Sequence, residues 1–102
     1  MNKPGYYILD GHVPRKVESL EEWAKKFGSV DRRVGDDMIG DVRVSTVFLG
    51  FDHAYLGGPP LLFETMIFGG SEDGYQDRCS TWEQAEAQHA NAVAMVRMKS
   101  VN

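Results

Sequence analysis

A series of β-prone segments between two capped helical segments restricts the fold more than any other feature of the sequence. Residues 42–51 and 61–68 are rich in β-branched, aromatic and other apolar residues, and a shorter segment follows at 75–79. Loops that contain glycine and proline separate these segments, which is typical of strands that pair with the next strand along the chain. The sequence therefore predicts consecutive antiparallel strands, with Gly40 and Asp41 as the turn before the first of them.

Two segments carry the pattern of a helix that begins with a capping box. In the first, Ser19 precedes Glu22 by three positions, so that each side chain can bond the backbone N–H of the other residue. Ser80 and Glu83 repeat this pattern at the start of residues 80–98. The first helix is expected to be amphipathic, with an apolar face formed by Leu20, Trp23, Ala24 and Phe27.

The order of these segments indicates an α+β fold. A short strand at residues 6–10, ended by Gly11 and Pro14, comes before the first helix. The complete order is then β-α-β-β-β-(β)-α, in which the first strand after the helix is the weakly alternating segment from Arg32 to Met38 and the bracketed strand is the segment at 75–79. We expect a single domain over residues 1–102, with a mainly antiparallel sheet of four to five strands and two helices packed on one face.

Composition and charge exclude several classes of protein. The 102 residues are 42% hydrophobic and 25% charged, which is typical of a globular chain. Because 15 acidic residues outnumber 11 basic ones, the formal net charge is −4, and we expect no nucleic-acid partner. No apolar run approaches the roughly 20 residues that cross a bilayer and no secretory leader opens the chain, so we expect no membrane partner. Cys79 is the single cysteine, which favours a reducing cytoplasm.

Glu64 interrupts the apolar run LLFETMIF at residues 61–68. Because side chains alternate along a strand, the run divides into two sets, one of Leu62, Glu64, Met66 and Phe68 and the other of Leu61, Phe63, Thr65 and Ile67. Both sets are largely apolar. A carboxylate among them needs a hydrogen-bonding partner, an edge position or a bound proton.

Three further residues suggest a cluster with Glu64. His89 lies in the middle of the apolar stripe predicted for the long helix, which contains Trp82, Ala85, His89, Ala92, Val93 and Val96. Asp52 and His53 follow the strand that precedes residue 61, and a hairpin brings such strand ends together. One hypothesis is a site formed by Asp52, His53, Glu64 and His89 for a divalent metal or for acid–base chemistry. The favoured alternative is that these residues are structural, because no short-spaced ligand motif occurs.

Cys79 allows two interpretations. It stands just before the capped helix, and a helix N-terminus can activate a thiol. A lone cysteine is more often a small buried apolar residue, which is the interpretation we favour. The sequence contains no Walker A, GxGxxG or GxSxG motif, so it indicates neither nucleotide hydrolysis nor serine-hydrolase chemistry.

Three segments resemble a family of small uncharacterised proteins encoded by bacteriophages and prophages. They are VSTVFLGFDH at 44–53, PPLLFETMIFGG at 59–70 and STWEQAEAQH at 80–89. The resemblance covers most of the chain and implies an accessory gene product that works in the cytoplasm of a bacterial host. It implies no catalytic or binding role for any position, and it leads us to expect an aromatic residue where this chain has Cys79.

Two functions remain as hypotheses. The first is a non-enzymatic binding protein without a cofactor, which forms a homo-oligomer or engages a host protein through an exposed sheet face or edge. Its candidate interface anchors are Phe51, Tyr55 and Tyr75. The alternative is a small enzyme, or a protein that binds a metal or a small molecule, built on the carboxylate and histidine cluster. The arginines available to it for a phosphate group are Arg32, Arg33, Arg43 and Arg78.

Overall fold

The computed structural model describes residues 5–28, 31–54 and 57–100 and confirms the α+β class. Two strands and a helix come first, followed by four strands and a long helix. The elements are β1 (Tyr6–Asp10), β2 (Val13–Val17), α1 (Leu20–Phe27), β3 (Arg33–Ile39), β4 (Val42–Phe48), β5 (Phe63–Phe68), β6 (Gln76–Cys79) and α2 (Trp82–Ser100).

Strands β3 to β6 form a four-stranded antiparallel sheet in chain order. The predicted hairpin turn at Gly40 and Asp41 is confirmed, since Ile39 pairs with Val42 at its base. The register of β3 shifts between Arg33 and Gly35, so that one extra residue bulges from this edge strand. The predicted strand at 61–68 and the short edge strand before the long helix are also present.

The structure contains one strand that the sequence prediction missed. Residues Val13–Val17 form β2, which pairs antiparallel with β1 in a separate two-stranded sheet. Gly11 has a φ of 65°, a left-handed conformation that suits the tight turn between the two strands. Pro14 pairs with Leu9 inside the hairpin, where an edge strand tolerates a residue without an N–H. The predicted strand at 6–10 and its end at Gly11 are therefore confirmed, whereas Pro14 lies inside a second strand that was not predicted.

The core lies between the four-stranded sheet and α2. The predicted apolar stripe of α2 is confirmed, because Ala85, His89, Ala92 and Val96 are all buried. Helix α1 reaches the same side of the sheet through Phe27, whose ring centroid lies 6.5 Å from that of Phe48. The sheet residues buried on this side include Val44, Thr46, Phe48, Phe63, Thr65 and Ile67.

The two helix caps differ in how well they were predicted. At α1 the Glu22 N–H donates to the Ser19 hydroxyl at 3.1 Å, as expected. At α2 the cap is Thr81, whose hydroxyl accepts the Gln84 N–H at 3.1 Å, while the Gln84 carboxamide oxygen accepts the Thr81 N–H at 3.2 Å. The capping box of α2 therefore begins one residue later than the expected pair of Ser80 and Glu83.

In the part of the chain that the structure describes, neither helix combines the length and the apolar character that a bilayer crossing requires.

Candidate functional site

The four-stranded sheet presents two different faces. One is covered by α2, while α1 packs mainly on the β1–β2 hairpin and reaches this face through Phe27. The register places the alternate side chains of each strand on the other face. We call this second surface the open face, because no helix among residues 5–28, 31–54 and 57–100 packs on it. It consists of Arg33, Asp36, Met38, Arg43, Ser45, Val47, Glu64, Met66, Phe68, Gln76 and Arg78.

Glu64 belongs to the open face and has a partner on the neighbouring strand. Arg78 lies directly opposite in the register, and its Nε donates to Glu64 Oε2 at 2.9 Å. The Gln76 carboxamide donates to the same oxygen. Only 13% of the Glu64 side chain is exposed, so these bonds satisfy a carboxylate that the strand would otherwise hold partly away from water. Glu64 is therefore explained as a structural carboxylate.

A second ion pair lies on the opposite side of the open face. Arg43 donates from Nε and Nη2 to the two oxygens of Asp36, at 2.9 and 3.0 Å, in the bidentate arrangement that suits a guanidinium group. These hydrogen bonds lower the pKa of the Asp36 carboxyl, and the positive charges of Arg43 and Arg33 lower it further. The charged groups of the open face thus neutralise one another within the sheet.

Apolar side chains occupy the centre and one end of the open face. Val47 and Met66 are half-buried between the two ion pairs. Met38 and Phe68 lie at the end near the β3–β4 turn, where 63% and 43% of their surfaces are exposed. The result is a sheet surface with an apolar strip, formed by Val47, Met66, Met38 and Phe68, and with paired charges, which is suited to contact with another protein surface.

The helix-side face contains a polar network that the sequence analysis missed. The hydroxyl oxygens of Thr46 and Thr65 are 2.7 Å apart, and His89 Nδ1 lies 2.8 Å from Thr46 Oγ1. On its other side, His89 Nε2 lies 2.6 Å from Asp37 Oδ2. The Thr65 hydroxyl donates to the Gln88 carboxamide oxygen at 3.3 Å. We call these five residues the polar network. Its sequence signals were His89 in the apolar stripe of the long helix and two threonines in the middle of adjacent apolar strands.

Asp37, His89 and Thr46 have the residue types of a catalytic triad, but they cannot act as one. A triad nucleophile must reach the substrate, and its hydroxyl must lie within reach of the histidine base. Thr46 meets the second condition and fails the first, because its relative exposure is 0% and its hydroxyl is also bonded to Thr65. Thr46 and Thr65 are therefore part of the core, and the polar network reaches the surface at Asp37, whose side chain is 56% exposed.

The structure does not bring the four residues of the predicted cluster together. Glu64 points to the open face, whereas His89 contacts Thr46 on the helix-side face. Asp52 Oδ1 accepts the N–H groups of Ala54 and Leu61, and His53 Nδ1 donates to the Phe51 carbonyl at 2.8 Å, so both residues organise the loop after β4. Among the described residues, no group of three or more histidine, cysteine or acidic side chains is placed to hold a metal ion.

Two of the three predicted interface anchors, Phe51 and Tyr75, are only partly exposed and pack against other side chains. Phe51 packs against Tyr6, with ring centroids 5.6 Å apart, and Tyr75 packs against the buried cluster around Val44. Tyr55 lies outside the described residues. The large apolar side chains that are exposed on the open face are Met38 and Phe68.

The arginines considered for a phosphate site already have partners. Arg33, Arg43 and Arg78 face carboxylates on the open face. The Arg32 guanidinium carbon lies 4.1 Å from the centroid of the Phe27 ring, a cation–π contact. These contacts favour a structural role for all four residues.

Cys79 is buried and should react slowly. Burial raises the pKa of its thiol from an ordinary value of 9.0 to about 11, and the negative charge of Asp77 adds to this shift. At neutral pH the thiolate fraction is then about a hundredfold lower than for an ordinary cysteine, because each pKa unit is a factor of ten.

We expect alkylation of Cys79 by iodoacetamide to be at least a hundredfold slower in the folded protein than in urea. Equal rates in both conditions would contradict the buried thiol.

Against known proteins, the chain matches no protein-family model, no curated protein and no solved structure.

Proposed function

We propose that the protein is a small non-enzymatic binding protein that associates with a second copy of itself through the open face. The observation that carries this proposal is the apolar strip of that face, in which Met66 is half-buried at the centre and Met38 and Phe68 are exposed at the end. An apolar surface of this kind, flanked by polar groups, is a common mark of a protein–protein contact.

The open face is suited to self-association because of its charges. In a two-fold symmetric dimer the same patch lies on both subunits, so a patch with a strong charge of one sign would repel its copy. Here the three arginines Arg33, Arg43 and Arg78 pair with the carboxylates Asp36 and Glu64 of the face and with Asp31 at its edge, 3.3 Å from Arg33, so the net charge is close to zero. Both carboxylates are already paired within the sheet. The approach of two copies is therefore not opposed by a large like charge, although the whole chain carries −4.

The size of the open face sets the expected strength of the dimer. Four strands about 4.8 Å apart, with strands of about six residues, make a surface of roughly 20 by 20 Å. Two such faces in contact bury on the order of 1,000 Å², which is the lower end for a specific interface. We therefore expect a dimer that dissociates on dilution.

The biological setting in this proposal is an accessory role in the cytoplasm of a bacterial cell infected by a phage. It is supported by the resemblance of residues 44–53, 59–70 and 80–89 to phage and prophage proteins. A host protein is the alternative partner for the same surface.

Native mass spectrometry and sedimentation at several protein concentrations test the dimer. At about 100 µM, a concentration that suits a small interface, we expect the wild type to be largely dimeric without added mass. Met66→Glu should be monomeric with an unchanged circular dichroism spectrum, because it places an unpaired charge at the centre of the contact. Phe68→Glu, at an exposed position of the same face, serves if Met66→Glu does not fold.

Met98→Glu is the matched control. Met98 is 74% exposed on α2, on the other side of the sheet, so the same chemical change should leave the dimer intact. A wild type that stays monomeric at every concentration would overturn the proposal, as would open-face variants that dimerise like the control. A stoichiometric extra mass on the wild type would instead favour a small-molecule or metal ligand.

A further inference from the structure

The direction of each hydrogen bond in the polar network can be fixed from its two ends. At one end, Gln88 Nε2 donates to the carbonyl oxygen of Arg78 at 3.0 Å, and a carbonyl can only accept. The Gln88 carboxamide oxygen therefore faces Thr65 and accepts its hydroxyl proton. Thr65 has only one hydroxyl proton, and it is donated to Gln88. In the hydrogen bond between the two threonines, Thr46 is therefore the donor and Thr65 the acceptor.

His89 must donate a hydrogen on both sides of its ring. The Thr46 hydroxyl proton is directed at Thr65, so Thr46 Oγ1 can only accept from His89 Nδ1. On the other side of the ring, an ionised Asp37 carboxylate can only accept from His89 Nε2. The complete network therefore has a proton on both ring nitrogens, which is the positively charged form of histidine.

We propose that His89 is a pH-dependent latch that holds the edge strand β3 against α2 when both ring nitrogens carry a proton. The ion pair between His89 and Asp37 connects the two elements, and the ring packs closely on Gly35 of the same strand. When the ring loses one proton, one hydrogen bond of the polar network is left without a hydrogen. The hydrogen bond between His89 and Asp37 also loses the positive charge of its donor. The inference does not depend on the proposed dimer.

The charged groups near His89 belong to β3 and α2. On β3, Asp37 contacts the ring, and Asp36 senses its charge. On α2, Glu86 and Arg97 line the same surface groove as His89 and Asp37. Strands β4 and β5 contribute the neutral hydroxyls of the network. On the helix side these groups are two acidic side chains and one basic one, while Asp36 lies on the open face and is bonded to Arg43.

The direction of the pH effect is set by the protonation form of His89 that completes the hydrogen bonds of the polar network. Histidine changes charge between pH 5 and 8, and the doubly protonated form is the one that completes the network. The latch is therefore closed at low pH, and the attachment of β3 weakens as the pH rises.

The test measures the protonation of the His89 ring and the opening of β3 at about pH 5.5 and about pH 8.5, toward the two ends of the range in which histidine changes charge. In nitrogen-15 spectra, the His89 ring should show two N–H groups at the lower pH and one at the higher. Hydrogen exchange of the β3 amides, corrected for the intrinsic effect of pH, should show opening that increases on the order of tenfold over this range, as expected for a lost charged hydrogen bond.

Asp37→Asn keeps the acceptor for His89 but removes its charge, so the pH dependence of β3 opening should fall below about twofold. Asp41→Asn is the matched control, because Asp41 lies in the exposed β3–β4 turn outside the network and the tenfold change should persist. The latch is ruled out if β3 opening in the wild type does not change with pH, or changes equally in Asp37→Asn. It is also ruled out if Nδ1 of His89 is bare at the lower pH, a result that needs no variant.

Discussion

Phe48→Ala should cost about 3 to 5 kcal/mol of unfolding free energy, as expected for the removal of a fully buried phenylalanine. Phe48 has no exposed surface, and its ring centroid lies 5.3 Å from that of Phe63. It also contacts Phe27 of α1, so the substitution opens a cavity where the first helix meets the sheet. Since small domains are stable by only about 5 to 15 kcal/mol, this variant should be close to unfolding at 37 °C. Urea denaturation followed by tryptophan fluorescence measures the change.

Two variants calibrate this result. Phe48→Leu keeps most of the apolar volume and should cost about half as much or less. Leu20→Ala removes an apolar side chain of α1 that is 58% exposed, and should change the unfolding free energy by less than about 0.5 kcal/mol. If Phe48→Ala and Leu20→Ala had similar effects, the N-terminal hairpin and α1 would not share a core with the sheet.

The fold was largely predictable because its patterns are local. Antiparallel neighbours joined by short turns follow from β-prone segments and glycine positions, and α2 follows from the spacing of its apolar residues. The errors have local causes as well. Pro14 suppressed the prediction of β2, since a proline is excluded from central strands but tolerated in a two-stranded hairpin. At α2, both Ser80 and Thr81 are suitable caps, and the sequence alone does not choose between them.

The site was less predictable because the sequence does not state which face of β5 the helices cover. Alternation correctly separates Glu64 from Thr65, yet both faces of that strand are apolar enough to be a core. Once α2 packs on the face of Thr65, Glu64 cannot meet His89, and the carboxylate of Asp37 takes that position instead. The contact between residues 37 and 89 depends on the β-bulge and the docking of α2, neither of which has a sequence period.

Gly35→Ala should be the second most damaging of these substitutions, at about 2 to 4 kcal/mol. A Cβ atom at this position would lie 2.7 Å from two atoms of the His89 ring, which no real contact allows. The backbone itself accepts alanine, because Gly35 is not among the glycines with positive φ. The cost therefore comes from displacement of the ring, with loss of its bonds to Thr46 and Asp37. Gly28→Ala is the control, because its new Cβ would meet only the Ala24 carbonyl oxygen at an ordinary 3.5 Å.

A double-mutant cycle shows whether the ring is the cause. His89→Ala removes the side chain that a Cβ at position 35 would strike, so adding Gly35→Ala to it should cost nothing further, and the measured coupling should nearly equal the cost of Gly35→Ala alone. Additive effects would mean that Gly35 is required for the bulge of β3 rather than for the ring. The bulge and the His89 ring both affect the same edge strand, so only the coupling energy between positions 35 and 89 separates the two explanations. A large coupling energy would identify His89 as the residue that fixes β3 against α2.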